Sequence, residues 1–273
     1  MSEIYGLDAY APREIAQRVE TIGVAKARLP LLQLALLGLL AGAFIGLGAL
    51  GFVVVKSDPT LGYATGQWLG GLVFSLGLLL VVVAGAELFT GNNLLAMAWA
   101  SGRISSAELL RNWIVVCLAN LAGAAGLALL VHLSGHAQLN GGAIAQTVLR
   151  IALAKQALPW EQALLRGVLC NLLVCMAVWM AMAGRSVVDK AVAVLFPVSA
   201  FVAAGFEHSI ANMYLMPLAW LLQHAGSVPA EPAVTWGGML VNWMVVIAGN
   251  LLGGSVLVAL SYHVIYRRQP PRT

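Results

Sequence analysis

The sequence predicts an all-α membrane protein of six transmembrane helices, arranged as an inverted repeat of three plus three, with spans two and five broken. Three observations lead to this fold class. Hydrophobic residues make up 60% of the 273 residues and charged residues only 10%, whereas a typical soluble domain has about 25% charged residues. The apolar residues fall into six runs long enough to cross a bilayer. Two of the runs contain polar interruptions, and a motif recurs in the two halves of the chain.

The segment before the first apolar run differs from the rest of the chain. Residues 1–29 carry charges throughout, which is not typical of a cleavable signal sequence. Ile15, Val19 and Ile22 share one helical face, and Pro12 suits a first turn. We therefore predict that residues 1–29 form a cytoplasmic amphipathic helix that lies at the membrane surface.

The apolar runs divide the remaining chain into six predicted spans. These cover residues 31–55, 68–100, 112–133, 162–183, 190–222 and 239–265. The second and fifth are too long for one straight helix, so we predict that the second breaks around residues 85–93 and the fifth around 205–208. A mixed segment, 134–161, forms an outer connection. Residues 268–273 are left as a cytoplasmic tail.

Composition and charge also narrow the classes of function. So apolar a chain cannot cover a globular surface with polar groups, which excludes a soluble enzyme, a nucleic-acid-binding protein and a disordered chain. The net charge is +4, and eleven of the 15 Lys and Arg residues precede span one or follow spans two, four and six. Because basic loops stay in the cytoplasm, both termini are predicted to be cytoplasmic.

An internal repeat indicates that the six predicted spans form two equivalent halves. Residues 112–123 and 242–253 are offset by 130 positions and share seven identities in twelve. A unit of three spans that is repeated in one membrane must be inverted, because three is odd. Inverted repeats with broken helices are typical of transporters and channels, which place the permeation site near the midplane at the breaks. The alternative is a chance similarity between apolar segments.

Both predicted breaks contain ionisable residues, which are costly in a membrane. Histidine changes charge near neutral pH, so we expect His208 to offer an N–H donor or a positive charge to a permeating anion; a core histidine bonded to a carbonyl is the alternative. Glu87 should hold the first break by pairing with freed backbone N–H groups. Glu207 should also be structural, because a carboxylate would repel an anion. Asn212 could donate to the pore or bridge helices.

Two further polar residues each have two interpretations. Asn171 lies in an apolar span, where it would bridge helices or face the pore. Lys155 lies in the outer connection, where it would concentrate anions or carry a solvated charge. The adjacent Glu207 and His208 do not match a metal-ligand spacing such as HExxH, and we predict neither a metal nor a cofactor.

Four segments closely resemble the formate/nitrite transporter family. They are the Gly-Ala-Glu-Leu-Phe-Thr-Gly string at 85–91, Ala-Ser-Gly-Arg-Ile at 100–104, residues 171–180, and residues 201–213 with their Phe-Glu-His-Ser-Ile-Ala-Asn-Met string. The resemblance extends over residues 30–267. It implies a six-span channel domain with an aquaporin-like protomer, assembled as a homopentamer in which each protomer has its own pore.

The resemblance also implies roles for individual residues. His208 matches the central pore histidine and Thr90 its hydroxyl partner. The cytoplasmic constriction would contain Phe74, Leu78 and Phe89, and the periplasmic constriction Leu88, Val174 and Phe201. Polar groups that guide the anion would be Lys155, Asn171, Glu207 and Asn212. The N-terminal helix would either gate the cytoplasmic mouth or serve as a surface anchor.

The family resemblance implies passage of small monovalent anions across a bacterial cytoplasmic (inner) membrane. Formate is the expected substrate, with pH-dependent flux that involves protons at His208; nitrite and hydrosulfide are the alternatives. The expected partners are these anions, protons, the lipid bilayer and further copies of the chain. A membrane-embedded enzyme is disfavoured because no nucleophile and base are paired. An aquaporin-type channel is disfavoured because its Asn-Pro-Ala motifs are absent from both breaks.

Overall fold

The structure is a computed structural model that describes residues 9–267. Residues 1–8 of the predicted N-terminal segment and the predicted tail 268–273 lie outside the described residues. Over this range the protein is helical. The α-helices are α1 (Pro12–Ala27), α2 (Leu31–Lys56), α3 (Tyr63–Leu80), α4 (Ala96–Ala100), α5 (Ser106–Leu133), α6 (Ala143–Gln156), α7 (Trp160–Ala181), α8 (Val187–Ala203), α9 (Ser209–His224), α10 (Trp236–Leu251) and α11 (Ser261–Tyr266).

Within residues 9–267, five helical segments are long and apolar enough to cross a membrane. They are Leu31–Lys56, Tyr63–Gly85, Ser106–Leu133, Trp160–Ala181 and Trp236–Tyr266. The last of these is continuous because a π-helical stretch, Leu252–Leu260, joins α10 to α11. The predicted fifth span is divided instead between α8, with 17 residues, and α9, with 16.

The second predicted span breaks after a π-helical turn, Val81–Gly85, which continues α3. Gly85 has φ +83°, a left-handed conformation that glycine adopts without strain. Residues 86–88 are not helical, and the chain returns to helical geometry in the 3₁₀ turn Gly91–Leu95, which runs into α4. The non-helical segment of this break thus includes the ionisable residue Glu87.

The break in the fifth span is built in a similar way. Helix α8 ends at Ala203, and Gly205 takes a positive φ of +70°. Residues 206–208 are not helical. Helix α9 then begins at Ser209, with His208 as its N-cap residue: the Nδ1 atom of His208 accepts a hydrogen bond from the Ala211 N–H at 3.2 Å. A polar ring in place of the usual Ser or Asp therefore starts this half-helix.

Two predicted boundaries need correction. Helix α5 begins at Ser106 rather than 112, because Ser105 and Glu108 form a reciprocal capping box that starts the helix early. The connection 134–161 is not a loop throughout, since it contains the 14-residue helix α6. One face of α6 is buried in the main hydrophobic core and packs against α9, so tertiary contacts stabilise a helix that lacks a long apolar run.

The apolar face of helix α1 packs against protein, which the sequence did not predict; that the helix lies at the membrane surface stays a prediction. Ile15 and Val19 are buried in a cluster with Met97 and Trp179. Ile22, on the same face, lines a cavity next to the first break. The apolar face predicted from the sequence therefore covers α4, the 3₁₀ turn before it, α5 and α11.

A wholly buried carboxylate, that of Glu20, stabilises the packing of α1 in this position. The side chain of Glu20 is 0% exposed; its Oε2 lies 2.9 Å from Nη2 of Arg267 and 3.7 Å from Nη1 of Arg103. Its Oε1 accepts a hydrogen bond from the Ser101 hydroxyl. Burial raises the pKa of Glu20, but the interactions with Arg267, Ser101 and Arg103 outweigh burial and hold that pKa below its usual value. Glu20 thus stabilises the docked helix at neutral pH, and this contribution is lost as the pH falls through the lowered pKa.

We expect Glu20→Gln to loosen α1, because the amide leaves two arginines without their counter-charge. Breaking a buried ion pair costs about 3–5 kcal/mol, so amide hydrogens of α1 should exchange with deuterium at least about tenfold faster at neutral pH. Glu161→Gln, at the exposed start of α7, is the control and should leave α1 protected. Unchanged exchange in the Glu20 variant would contradict the role of this cluster.

Candidate functional site

The two breaks meet at a hydrogen bond between Thr90 and His208. The Thr90 Oγ1 and His208 Nε2 atoms are 3.1 Å apart, and both side chains are buried. Because Nδ1 accepts the Ala211 N–H, the proton of a neutral imidazole lies on Nε2. His208 therefore presents an N–H donor on the side that faces Thr90. A histidine bound to a backbone carbonyl, the alternative considered from the sequence, is not what these contacts form.

Two aromatic rings enclose the imidazole. The Phe201 ring stacks on His208 with centroids 5.9 Å apart and an interplanar angle of 17°. Phe74 approaches both rings edge-on, with centroid distances of 6.5 Å to His208 and 5.8 Å to Phe201. Phe74 and Phe201, which the family resemblance assigns to opposite constrictions, thus contact the same histidine. The other four constriction residues, Leu78, Leu88, Phe89 and Val174, are all buried.

Asn171 joins the first break to the last span. Its Nδ2 atom donates to the carbonyl of Thr90 at 3.2 Å, to Oδ1 of Asn93 at 2.8 Å and to the carbonyl of Asn250 at 2.7 Å. Of the two interpretations of this buried asparagine, the contacts favour the one in which it bridges helices. The bridge also connects Asn171 to the backbone of Thr90, whose hydroxyl contacts His208.

At the second break, the carboxylate of Glu207 forms an ion pair with Lys155. Nζ of Lys155 lies 2.8 and 3.0 Å from the two carboxylate oxygens of Glu207. The Asn212 amide donates to Glu207 Oε2 at 2.7 Å and to Oδ1 of Asn242 at 2.8 Å. Asn242 closes the ring by donating to the carbonyl of Lys155 at 3.0 Å. Lys155 is therefore neither a solvated loop charge nor an unpaired cation, since its charge is balanced at the break.

The first break contains the same arrangement with different residues. Nζ of Lys26 lies 2.8 Å from Glu87 Oε1, and the Asn92 amide donates to Glu87 Oε2 at 2.7 Å and to Oδ1 of Asn112 at 3.0 Å. Asn112 donates to the carbonyl of Lys26 at 3.2 Å. The prediction that the Glu87 carboxylate binds freed backbone N–H groups was wrong, since its partners are side chains. We name the two sets the Glu87 ring (Lys26, Glu87, Asn92, Asn112) and the Glu207 ring (Lys155, Glu207, Asn212, Asn242).

Sequence reasoning missed Lys26, Asn92, Asn112 and Asn242 as site residues. The repeat contained a signal for the last two, because Asn112 and Asn242 open its matching segments. The repeat also relates the two lysines, since Lys26 and Lys155 each precede the first predicted span of one half of the chain. The carboxylate that each lysine contacts could not be inferred, because the paired residues are far apart in the sequence.

A cavity of about 460 Å³ lies between α1 and the first break. Its wall includes the side chains of Arg18, Lys26 and Lys190 and the predicted constriction residues Leu78 and Leu88. Glu87 also lines the cavity and balances the charge of Lys26. The positive charge that can raise the local concentration of a small anion there therefore comes from Arg18 and Lys190. Among residues 9–267 no cluster of three His, Cys, Asp or Glu side chains could hold a metal ion.

Comparisons with known proteins agree along nearly the whole chain. Residues 13–264 match the family model for the formate/nitrite transporter. The formate channels FocA and FocB of Escherichia coli (strain K12) are 38% and 36% identical to this chain; the alignments cover 96% and 94% of it, and equal shares of the relatives. A solved structure described as a pentameric formate channel with formate bound has a TM-score of 0.81 and 37% identity, over 87% of this chain and 98% of its own.

We expect Lys155→Met to destabilise the protein by about 3–5 kcal/mol, because it leaves a buried carboxylate without its cation. Thermal unfolding in detergent measures the loss. A double variant, Lys155→Met with Glu207→Gln, should regain most of it, since a neutral pair removes the uncompensated charge. Lys190→Met, which changes a cation outside both rings, is the control. A single variant as stable as the wild type would contradict the pairing seen at the second break.

Proposed function

Because the chain belongs to the formate/nitrite transporter family, we propose that it forms a homopentameric membrane channel that passes formate through a separate pore in each protomer. The observation that carries this proposal is the contact between Thr90 and His208 where the two helix breaks meet. It puts a hydroxyl and an imidazole N–H, both suited to a small oxyanion, in an otherwise apolar setting. Similarity to formate channels in sequence and in fold supports formate as the substrate.

The proposed pathway has two apolar constrictions around a small polar chamber. Leu78 and Phe89 belong to the first, with Phe74; Leu88 and Val174 belong to the second, with Phe201. A dehydrated anion would cross such rings at high cost. His208 lowers this cost in one of two ways. Either the charged imidazolium hydrogen-bonds the anion, or the imidazolium gives its proton to formate so that neutral formic acid crosses. In either case the flux depends on pH.

The two carboxylate rings suit this pathway electrostatically. Glu87 and Glu207 would repel an approaching anion if they stood alone, but each is matched by a lysine at 2.8 Å. Lys155 and Lys26 therefore remove the repulsion that the two carboxylates would exert on the anion, and Asn212 and Asn171 complete the polar surroundings of the chamber. This assignment of roles is part of the proposal.

We also propose an inverted repeat with aquaporin-like topology. The Glu87 ring and the Glu207 ring use the same residue types in the same order, which supports an origin in two equivalent three-span halves. The distribution of eleven basic residues against four supports cytoplasmic termini in a bacterial inner membrane.

Helix α1, docked over the 460 Å³ cavity, would gate the cytoplasmic mouth. Members of the family are channels or transporters, and we assign no catalytic role.

His208→Asn should remove the pH dependence of formate flux, because an amide can donate a hydrogen bond but cannot gain or lose a proton in this range. Flux into proteoliposomes, measured from pH 5 to 8, gives the profile. Liposomes without protein correct for the diffusion of formic acid through lipid. A pH profile that persists unchanged in the variant would refute the role of His208.

A panel of solutes distinguishes the substrate classes. We expect formate to cross faster than nitrite, hydrosulfide and lactate at equal concentration, and water and glycerol permeability to stay near that of empty liposomes. Stopped-flow measurements on one proteoliposome preparation make these rates comparable. Faster nitrite or hydrosulfide flux would replace formate with that anion, and high water or glycerol permeability would indicate a neutral-solute channel.

A further inference from the structure

Two buried asparagines, Asn120 in α5 and Asn250 in α10, hydrogen-bond to backbone groups at the two breaks. Neither belongs to the carboxylate rings. We propose that Asn250 is a positioning residue for His208 and that Asn120 has the same role for the segment that carries Thr90. The inference rests on the proposed function, because it concerns the residue that we expect to control the pH dependence of formate flux.

Asn250 binds the backbone on both sides of His208. Its Oδ1 atom accepts the N–H of Ser209 at 3.0 Å, and its Nδ2 atom donates to the carbonyl of Glu207 at 3.0 Å. A further bond from Nδ2 to the carbonyl of Gly167, at 2.9 Å, ties this side chain to α7. With the preceding and following residues both fixed to one buried amide, the direction in which the His208 ring projects is set by Asn250.

Asn120 repeats these bonds at the first break. Its Oδ1 atom accepts the N–H of Phe89 at 2.9 Å, and its Nδ2 atom donates to the carbonyl of Glu87 at 2.9 Å. The bond to a neighbouring helix is to the carbonyl of Gly38 in α2, at 2.6 Å. Thr90 directly follows the segment that Asn120 holds, so each asparagine controls one partner of the 3.1 Å contact at the centre of the protein.

The two positioning sites are also connected. Asn171 donates to the carbonyl of Asn250 and to the carbonyl of Thr90, so the backbone of α10 is linked through one side chain to the first break. A shift of Asn250 would therefore change both sides of the contact between Thr90 and His208.

The chemistry of these positions requires asparagine. Each position needs one acceptor for a backbone N–H and two donors for backbone carbonyls, on a side chain short enough to reach all three. Alanine supplies none of these groups, and ionised aspartate supplies the acceptor without the donors. A merely structural asparagine would affect assembly only, whereas a positioning residue acts on flux through His208.

A double-variant cycle separates these two roles. Formate flux is measured in proteoliposomes for the wild type, Asn250→Ala, His208→Asn and the double variant, after size-exclusion chromatography has identified assembled pentamer. We expect Asn250→Ala to lower flux about tenfold at low pH and to flatten the pH profile. In the His208→Asn background the same change should cost less than about twofold, because the histidine that it positions is absent.

Controls make each outcome decisive. Ser75→Ala removes a buried hydroxyl that donates to the carbonyls of Gly71 and Leu195, away from both breaks, and should leave flux and pH profile unchanged. If Asn250→Ala does not assemble, Asn250→Asp, which keeps the volume and the acceptor, replaces it in the cycle. If His208→Asn passes no formate, Thr90→Ala serves as the background.

The failures of the two proposals are distinguishable. An equal loss of flux in both backgrounds, or a wild-type pH profile in assembled Asn250 variants, would overturn the positioning role while the role of His208 stands. A wild-type pH profile in His208→Asn would overturn the proposed function itself.

Discussion

A helix that is interrupted inside a membrane frees backbone N–H and carbonyl groups that no water can satisfy, and the rest of this structure depends on how these groups are bound. At each break one buried asparagine, Asn120 or Asn250, accepts one N–H and donates to one carbonyl of the break. Each also donates to one carbonyl of a neighbouring helix. The chain can therefore remain non-helical where Thr90 and His208 must meet.

Paired charges are the second feature that the two breaks share. Each break contains a carboxylate, and each carboxylate is neutralised by a lysine and hydrogen-bonded by an asparagine. A buried ion pair contributes little net stability, but removal of one partner is costly. The rings are therefore better understood as elements that fix geometry than as sources of stability. The imidazole of His208 belongs to neither ring and contacts the Thr90 hydroxyl instead.

Much of the site could be predicted from sequence because its signals are local. An ionisable residue in an apolar run indicated both breaks and His208, and the repeated segments predicted two equivalent halves. The partners could not be predicted, because Lys26 and Glu87 are 61 positions apart and Lys155 and Glu207 are 52 apart. Periodicity also failed for α6, whose sequence is too polar for a span. Its helix depends on packing against α9, which a local pattern does not contain.

The Glu20 cluster has a consequence for how the chain matures. Helix α1 is translated first, but the groups that hold its carboxylate come from Ser101, Arg103 and Arg267. Arg267 lies at the end of the last span, so the Glu20 carboxylate has both of its arginine partners only once that span is in place. The ion pairs of this cluster are thus completed late in biogenesis, although Lys26 and the apolar face of α1 already contact earlier elements.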